Sequence, residues 1–544
     1  MKRKVLLVAL AMLTSVVSIT GCKKSKKDSN KIYVSVVSLG YKYQWLNDLM
    51  AEYTRKTGTE FSLQVQYGQD GNNKLNNEIK ALNGQSDIYA IRPGSFFELL
   101  YRHKITTPSG DKYDYAFEPL TDIYRSEYEG ESGNNTIEKK IDADMKDYLY
   151  FDNDYFALPW SSGFVSFARN LEAWEACGFT ASEYPRTTEE MFEMMDQMNS
   201  VIASSSASSY LKERETAPMI YCEADEYYST IIGSWFAQYE GDEAMQNFYN
   251  GRDSDGLRST KLFSYDGITE ALTVLKRLLE YDKNSKSFRY QSKDSLKTSF
   301  TQMQNYFLRG RGVFCVNGTW LETENPETSN YRIDYIKIPL VSSIVDKLSK
   351  PYTENQLRDL VSYIDEHPEV GDNAGLSSEY ETLDVEFVRD SRNKGSIMRT
   401  DYDHLFVIPA WSSKKAEAKQ FLKWVYSDEG LQLFFNTMKG HHLPAMPSTG
   451  SYDTSKVTFS TFRESCNKFL DARNFCTYLI NTEKDKIYSI ANVSRTFANK
   501  VKIEGGNICT WLREGTTVSE IIEWNTTYLE KNWATITNKI GRDD

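Results

Sequence analysis

Residues 32–91 carry a strand–helix–strand–helix–strand pattern, and this pattern limits the possible folds more than any other feature of the sequence. Short apolar stretches typical of strands alternate with longer stretches whose apolar residues recur at helical spacing. The predicted strands are residues 32–37, 61–67 and 87–91, and the predicted helices are residues 45–53 and 75–82, which stop at Gly58 and Gly84. Strands joined by helices in this way form a parallel sheet through right-handed crossovers. The sequence therefore predicts an α/β fold.

Polar and aromatic side chains follow two of the predicted strands. Tyr41, Tyr43 and Gln44 come after the first strand, and Arg92 comes after the third. In parallel sheets, ligands bind beyond the carboxyl ends of the strands. We therefore predict that these four residues contact a ligand.

The first 22 residues have the features of an export signal. A basic start at residues 2–4 precedes an apolar run at residues 5–19, which is too short to span a bilayer. The small residues before Cys22 resemble the lipobox of bacterial lipoproteins, and the resemblance implies removal of a signal peptide at residues 1–21 and a diacylglycerol on Cys22. Residues 22–30 then form a basic tether that strengthens binding to anionic lipid. We expect a chain anchored by lipid on the extracellular face of the bacterial cytoplasmic membrane.

The composition of the mature chain excludes one class of partner and favours another. Three of the 64 Lys and Arg lie in the signal peptide, so 61 remain against 76 Asp and Glu, a formal charge of −15. Such a charge repels phosphate backbones, which excludes nucleic acid as a partner. The chain also has 36 Tyr and 10 Trp. Although most of these rings belong in the core, flat amphipathic rings suit the recognition of sugars.

Several motifs occur in an order that resembles a known family. They are W-x-x-x-L-x-x-x-Y-x-x-x-T-G at 45–58, ALP at 157–159 before FVSFARN, PRTTEEM at 185–191, FLRGRGVFCVNGTW at 307–320 and AEAKQFLKW at 416–424. Together with the lipobox and tether, they resemble the extracellular solute-binding proteins, family 1, which are the carbohydrate-binding lipoproteins of ABC importers. The resemblance spans about residues 31–445 and, more weakly, the tail at 511–533.

The resemblance implies a two-lobed α/β fold of the periplasmic-binding-protein type, class II. Each lobe has a mostly parallel sheet flanked by helices, and hinge strands join the lobes. Mapped onto this sequence, lobe 1 is residues 31–159 plus 341–436, and lobe 2 is residues 160–340 plus 437–544. Such lobes close around a solute, here an oligosaccharide, and the closed form is recognised by the permease subunits. The expected protein is a monomer that needs no cofactor or metal.

The resemblance also implies ligand-binding residues at matching motif positions. Trp160 and Ser161 follow the ALP corner, where the chain first crosses between lobes, and Asn317 and Trp320 match an N-G-x-W turn. Trp235 lies where the family carries a Gly-Gly turn, of which only one glycine stands here. His404 and Trp411 border the second crossing and are weaker candidates, for which a surface histidine and a core aromatic are the alternatives.

Some features of the sequence leave alternatives open. Extra segments near 106–150 and 341–400 either extend the binding cleft or decorate the surface. Six cysteines follow Cys22 without a CxxC spacing, and they either pair or remain buried thiols: Cys177, Cys222, Cys315, Cys466, Cys476 and Cys509. The adjacent His441 and His442 face opposite ways if they lie on a strand, which disfavours a shared metal.

Two other functions compete with solute capture. A secreted glycoside hydrolase needs two carboxylates facing each other across a cleft, and the acidic composition supplies many chance pairs. A glycan-binding surface adhesin without a transport role is the second alternative. No HExxH, GxSxG or P-loop motif is present, so the prediction is a binding protein and not an enzyme.

Overall fold

The computed structural model of the chain describes residues 28, 30–92, 96–102, 104–222, 227–249, 252–396, 398–399, 404–472 and 508–538. The predicted signal peptide and the lipid-bearing Cys22 lie outside the described residues, as does nearly all of the tether at 22–30. Within the described part of the chain, no helix is both long and apolar enough to cross a membrane.

Strands and helices alternate along most of the described chain. The strands are β1 (Lys31–Ser38), β2 (Glu60–Tyr67), β3 (Ile88–Ile91), β4 (Ile105–Thr106), β5 (Lys112–Tyr113), β6 (Tyr150–Phe151), β7 (Asp154–Tyr155), β8 (Leu158–Pro159), β9 (Phe164–Asn170), β10 (Ala217–Met219), β11 (Tyr281–Asp282), β12 (Ser287–Phe288), β13 (Gly312–Gly318), β14 (Ile333–Ile336), β15 (Met398–Arg399) and β16 (Leu405–Val407). The helices are α1 (Gln44–Thr57), α2 (Gly68–Lys80), α3 (Phe96–Tyr101), α4 (Thr121–Arg125), α5 (Ile137–Lys140), α6 (Ala143–Leu149), α7 (Leu171–Ala176), α8 (Thr188–Ala203), α9 (Ser209–Arg214), α10 (Tyr227–Glu240), α11 (Asp242–Tyr249), α12 (Asp266–Leu278), α13 (Phe300–Leu308), α14 (Leu321–Glu324), α15 (Glu354–Glu366), α16 (Thr382–Lys394), α17 (Lys415–Val425), α18 (Asp428–Thr437), α19 (Thr461–Ala472), α20 (Ile508–Arg513) and α21 (Val518–Asn538). Short 3-10 helices lie at Leu262–Ser264, Ser295–Lys297, Pro326–Asn330 and Ser342–Lys347.

The first sheet has the order β2-β1-β3-β16-β8. Its N-terminal part is parallel as the sequence predicts, with Val34 of β1 paired to Leu63 of β2 and Ile88 of β3. The strand β16, from the other end of the chain, then pairs antiparallel with both β3 and β8. The loops after β1, β2 and β3 therefore emerge at one edge of this sheet.

The second sheet has the order β10-β13-β9-β14, and β15 also pairs with β9. Only its β10–β13 pairing is parallel, because β9 runs antiparallel to β13, β14 and β15. The predicted α/β class is confirmed, but both sheets are mixed and not mostly parallel, since β16 in the first sheet and β9 in the second run antiparallel to their neighbours. The strand β9 enters directly from β8 of the first sheet through residues 160–163 and runs opposite to β13, β14 and β15.

In the described part of the chain, three connections join the two sheets. The first runs through residues 160–163 between β8 and β9, and the second lies between β15 and β16. The third runs through residues 438–460, from α18, which packs on α1, to α19, which packs on β14. The first two connections lie side by side, since the backbone N–H of Trp160 donates to the carbonyl of His404 at 2.9 Å.

Residues 342–399 pack with the second sheet in the structure, although the sequence-based division places residues 341–436 in lobe 1. The strand β15 pairs with β9, and the side chain of Arg392 on α16 donates to the carbonyl of Ile338 at 3.0 Å. Asp365 on α15 pairs with both Arg392 and Lys337, at 2.8 and 2.7 Å. We propose that this extra segment belongs to lobe 2 and that lobe 1 resumes near residue 404.

The helix α2 ends earlier than the sequence predicts. It stops at Lys80, and Leu82 takes a left-handed φ of 52°, so Gly84 is not its terminating residue. Gly84 has a different role, because a Cβ there would lie 2.1 Å from the hydroxyl of Tyr89. The glycine allows β3 to pack closely against the end of this loop.

The described cysteines lie in the interior. Cys177 and Cys466 are buried thiols, and burial raises the pKa of each to about 12. Cys222, Cys315 and Cys509 are also buried, whereas Cys476 lies outside the described residues. The buried-thiol alternative therefore holds for Cys177 and Cys466.

Candidate ligand-binding site

Tyr41 lies where all three connections between the sheets meet. Its side chain follows β1, is only 3% exposed and contacts aromatic rings from every connection and from the turn after β13. The ring centroids lie 6.3 Å from Trp160, 5.5 Å from His404, 4.8 Å from His441 and 6.1 Å from Trp320. This aromatic junction, made of these five residues, is the candidate site.

A tight turn places Tyr41 at the junction. The N–H of Lys42 donates to the carbonyl of Leu39 at 2.8 Å, and Lys42 takes a left-handed φ of 56°. The turn directs Tyr41 away from the first sheet, so that its hydroxyl reaches the carbonyl of Ser162 and the hydroxyl of Thr319, each at 3.3 Å. One side chain of the first sheet thus contacts both the first connection and the second sheet.

Trp320 enters the junction from the second sheet. Its ring is half-buried and lies over Gly318, where a Cβ would come within 2.2 Å of the indole. On the other side Gly40 allows the backbone after β1 to approach, since a Cβ there would lie 2.9 Å from the Cβ of Trp320. The hydroxyl of Thr323 also donates to the carbonyl of Gly40. The sequence places glycine at both of these close approaches to Trp320.

Two predicted site residues carry buried donors that have no hydrogen-bonding partner among the described residues. These are Nε1 of Trp160 and Nδ2 of Asn317, in side chains 1% and 0% exposed. The amide oxygen of Asn317 accepts from the N–H of Gly318 at 2.8 Å, so its orientation is fixed. Since buried donors are normally paired, such groups are suited to bind an acceptor on a ligand.

A buried arginine, Arg463, contacts the junction through His441 and the neighbouring Thr319. Arg463 on α19 is 1% exposed and donates to Nδ1 of His441 at 2.8 Å, to Glu322 at 3.3 Å and to the carbonyl of Thr319 at 3.3 Å. Burial, and secondarily the charge of Arg463, holds the pKa of His441 well below its usual value. His441 is therefore a neutral imidazole at physiological pH.

Three predicted site residues lie at the rim of the first sheet and not at the junction. Tyr43 caps α1 and contacts Tyr67 at a ring distance of 6.4 Å, while Gln44 is exposed and donates to Asp48. Arg92 is exposed, and the side chain of Asn72 holds its backbone through two hydrogen bonds of 3.0 and 3.1 Å. All three follow strand ends as predicted, but α1 carries the first two away from Tyr41.

Of the other residues predicted from the sequence, two lie at or beside the junction and two lie away from it. Ser161 is buried in the first connection next to Trp160, and His404, 8% exposed, belongs to the junction. Trp235 is fully buried on α10 and donates to the carbonyl of Pro339 at 3.3 Å. Trp411 is half-buried and donates to the carbonyl of Gly84. The structure thus brings neither tryptophan to Tyr41.

Sequence reasoning missed His441, Arg463 and Thr319 as neighbours of the site. Thr319 stands inside the motif at 307–320 and was within reach of a motif argument. His441 and Arg463 lie in the third connection and in α19, where no local pattern marks them. Among the described residues, no group of three or more His, Cys, Asp or Glu is arranged to hold a metal ion.

Solved structures with the same fold cover nearly the whole chain. A chitin oligosaccharide binding protein matches with 12% identity and a TM-score of 0.57, over 92% of this chain and 99% of the other. The substrate-binding protein Lmo0181 from Listeria monocytogenes, in complex with cycloalternan, matches with 12% identity and a TM-score of 0.56, over 93% and 100%. The GacH receptor of Streptomyces glaucescens matches with 12% identity and a TM-score of 0.55, over 92% and 98%.

A comparison of the sequence with family models identifies the family directly. A search of curated proteins found no match. The family model for bacterial extracellular solute-binding proteins matches residues 48–458, which is most of the chain and includes every member of the aromatic junction except Tyr41. This chain therefore belongs to the bacterial extracellular solute-binding proteins, a family of non-catalytic binding proteins.

Proposed function

We propose that this protein captures an oligosaccharide between its two sheets by hinge closure and delivers it to the permease subunits of an ABC transporter. The aromatic junction carries the proposal, because it is built from both sheets and from the connections between them. A solute bound there stabilises the closed arrangement by contacting both sides at once.

The chemistry of the junction fits a sugar ligand. Tyr41 and Trp320 offer aromatic surface for the apolar face of a pyranose ring. The buried donors of Trp160 and Asn317 lack partners among the described residues and suit hydroxyl or ring oxygens. The three solved relatives described above are named for, or bound to, oligosaccharides or acarbose, which supports the same ligand class.

Titration calorimetry of a soluble form, residues 31–544, tests the proposal against a panel of neutral and acidic oligosaccharides, with product analysis of each sample. Saturable binding without cleavage is expected, with Kd near 1 μM, or about −8 kcal/mol. Cleaved product would favour the hydrolase alternative. No binding across the panel would contradict an oligosaccharide ligand. If deleting the protein leaves sugar uptake by a permease encoded beside it unchanged, the adhesin alternative is favoured.

We also propose that a lipid on Cys22 holds the protein beside its permease. The support is the sequence of residues 2–22 together with the need for a captured solute to reach the membrane. Metabolic labelling with an alkyne fatty acid should mark the wild-type protein and not Cys22→Ala, and the variant should move from the membrane fraction to the medium. Equal labelling of both proteins would refute the anchor.

A further inference from the structure

His441 belongs to the third connection and lies between two groups of opposite character. Its ring is 0% exposed and lies 4.8 Å from the ring of Tyr41, at an interplanar angle of 35°. On its other side, Arg463 approaches Nδ1 at 2.8 Å. Phe434 of α18 completes its aromatic surroundings at 6.5 Å. The imidazole thus extends the aromatic junction toward α19.

The contact with Arg463 decides which ring nitrogen of His441 carries the proton. A guanidinium has only donors, so Nδ1 of His441 has to be the acceptor in this hydrogen bond. Arg463 is itself fixed by Glu322 and by the carbonyl of Thr319. Because the imidazole is neutral, its single proton then resides on Nε2. Nε2 is therefore a hydrogen-bond donor.

This donor lacks a hydrogen-bonding partner among the described residues. Nε2 is buried, and it points away from Arg463 because the two ring nitrogens lie on opposite sides of Cε1. Leaving a buried donor unpaired is unfavourable, and a fixed one next to a ligand site serves to select an acceptor. Trp160, in the same candidate site, and Asn317, on β13 next to Gly318, carry donors of the same kind.

We propose that the Nε2–H of His441 donates a hydrogen bond to an oxygen of the captured oligosaccharide, with Arg463 as the positioning residue that fixes this tautomer. The inference rests on the proposed function and adds a specificity-determining residue from the third connection. It requires the sugar oxygen facing His441 to act as an acceptor, so a deoxygenated sugar at that position should bind less tightly.

Three variants separate the donor from the packing of the ring. His441→Phe keeps an aromatic ring against Tyr41 and removes the donor, whereas His441→Gln places an amide N–H near the position of Nε2. His442→Phe is the matched control, because the neighbouring histidine is also buried but its ring faces Tyr452 and its Nδ1 faces the carbonyl of Leu443. Calorimetric titration with maltotriose, raffinose and triacetylchitotriose then measures Kd for each protein.

For each glycan that the wild type binds, His441→Phe should raise Kd about tenfold or more, while His441→Gln and His442→Phe stay within about threefold of wild type. An unchanged Kd in His441→Phe overturns the inference and leaves the proposed function standing. A wild type that binds none of the three glycans overturns both for these sugars.

The tautomer gives a test that does not depend on the ligand. Long-range ¹H–¹⁵N correlation spectra of histidine-labelled protein at pH 7.5 should show Nε2 protonated and Nδ1 unprotonated for the resonance that is lost in His441→Gln. A protonated Nδ1 at this residue contradicts the inference whatever the glycans do, because Nε2 would then be an acceptor.

Discussion

Tyr41 contacts residues from the second sheet's side and from all three connections between the sheets. Its ring touches Trp160, His404, His441 and Trp320, and its hydroxyl reaches Ser162 and Thr319. Tyr41, Trp160 and Trp320 were predicted as ligand contacts from strand ends and motif positions, and the structure brings these three together. His441 and Arg463 escaped prediction because their importance comes from contacts between segments far apart in the chain.

Replacing Trp320 tests the role of the junction in binding. Trp320→Ala should weaken oligosaccharide binding by about 2 kcal/mol, roughly thirtyfold in Kd at 25 °C, because the indole supplies most of the exposed aromatic surface of the site. Calorimetric titration measures the change. Trp424→Ala is the control, since Trp424 is also half-buried but packs on Tyr53 and Phe421 within the first sheet's helices. Equal losses in both variants would contradict a direct role.

The neutral state of His441 predicts a pH dependence of stability. Its folded pKa is lowered below the unfolded value of about 6.5. Unfolding therefore takes up a proton as the pH falls below about 6.5, and the stabilisation that is present above this pH is lost by up to about 1.4 kcal/mol per pH unit until the folded pKa is reached.

Urea unfolding at pH 7.5, 6.5 and 5.5 measures this effect. The free energy of unfolding of His441→Gln should fall less between pH 6.5 and 5.5 than that of the wild type, by about 1 kcal/mol. His442→Gln provides the comparison at the adjacent position. Parallel pH profiles for wild type and His441→Gln would show that this imidazole is not held neutral in the fold.

Among secondary-structure elements, local sequence patterns predicted the N-terminal strands and the first helix well. The strands β1, β2 and β3 and the helix α1 with its stop at Gly58 are confirmed, because each has a strong apolar period and a clear end. At Thr187, the N-cap of α8, a capping box with Glu190 is only half formed. Its hydroxyl accepts from the N–H of Glu190, but the carboxylate of Glu190 accepts from Arg186 instead. The carboxylate of Glu190 pairs with the guanidinium of Arg186 and therefore does not complete the cap of α8.

The extra helices α15 and α16 depend on a buried ion pair. Arg392 is 0% exposed and binds Asp365, whose pKa is held below its usual range chiefly by Arg392 and Lys337, against the opposing effect of burial. Arg392→Met should lower the free energy of unfolding by about 3 kcal/mol, because Asp365 loses a partner in a buried setting.

The matched control for this ion pair is Arg332→Met. Arg332 pairs with Glu175 on the surface, where both side chains are partly exposed, so its loss should cost about 1 kcal/mol or less. Guanidinium unfolding of the three proteins gives the values. Similar costs for the two variants would mean that residues 342–399 are attached to the second sheet by other contacts.

For the whole molecule, the proposed closure depends on contacts that cross between the sheets. The fold class and the family were predictable because the motifs occur in order along the chain. The attachment of residues 342–399 was not, since the two-residue strand β15 that joins them to β9 is too short to give a sequence pattern. The hydroxyl of Thr323, which donates to the carbonyl of Gly40, is one such crossing contact.

A pair of substitutions tests this crossing contact. Thr323→Val removes the hydrogen bond while keeping the shape of the side chain, so it should weaken oligosaccharide binding by about 1 kcal/mol, roughly fivefold in Kd. Thr323→Ser retains the hydroxyl and should bind like the wild type. Small-angle scattering with and without maltotriose follows the accompanying closure. If both variants bind alike, Thr323 does not contribute to the closed state.

The pairing of β16 with β3 has a consequence for how the chain folds as it emerges. Ile88–Ile91 is ready to pair early, but its partner, Leu405–Val407, follows more than three hundred residues later. Until then the edge of β3 presents unpaired backbone groups to other chains. Slow folding and a need for protection against aggregation follow from such long-range pairing. We therefore expect extracellular chaperones to bind this protein before its C-terminal part has crossed the membrane.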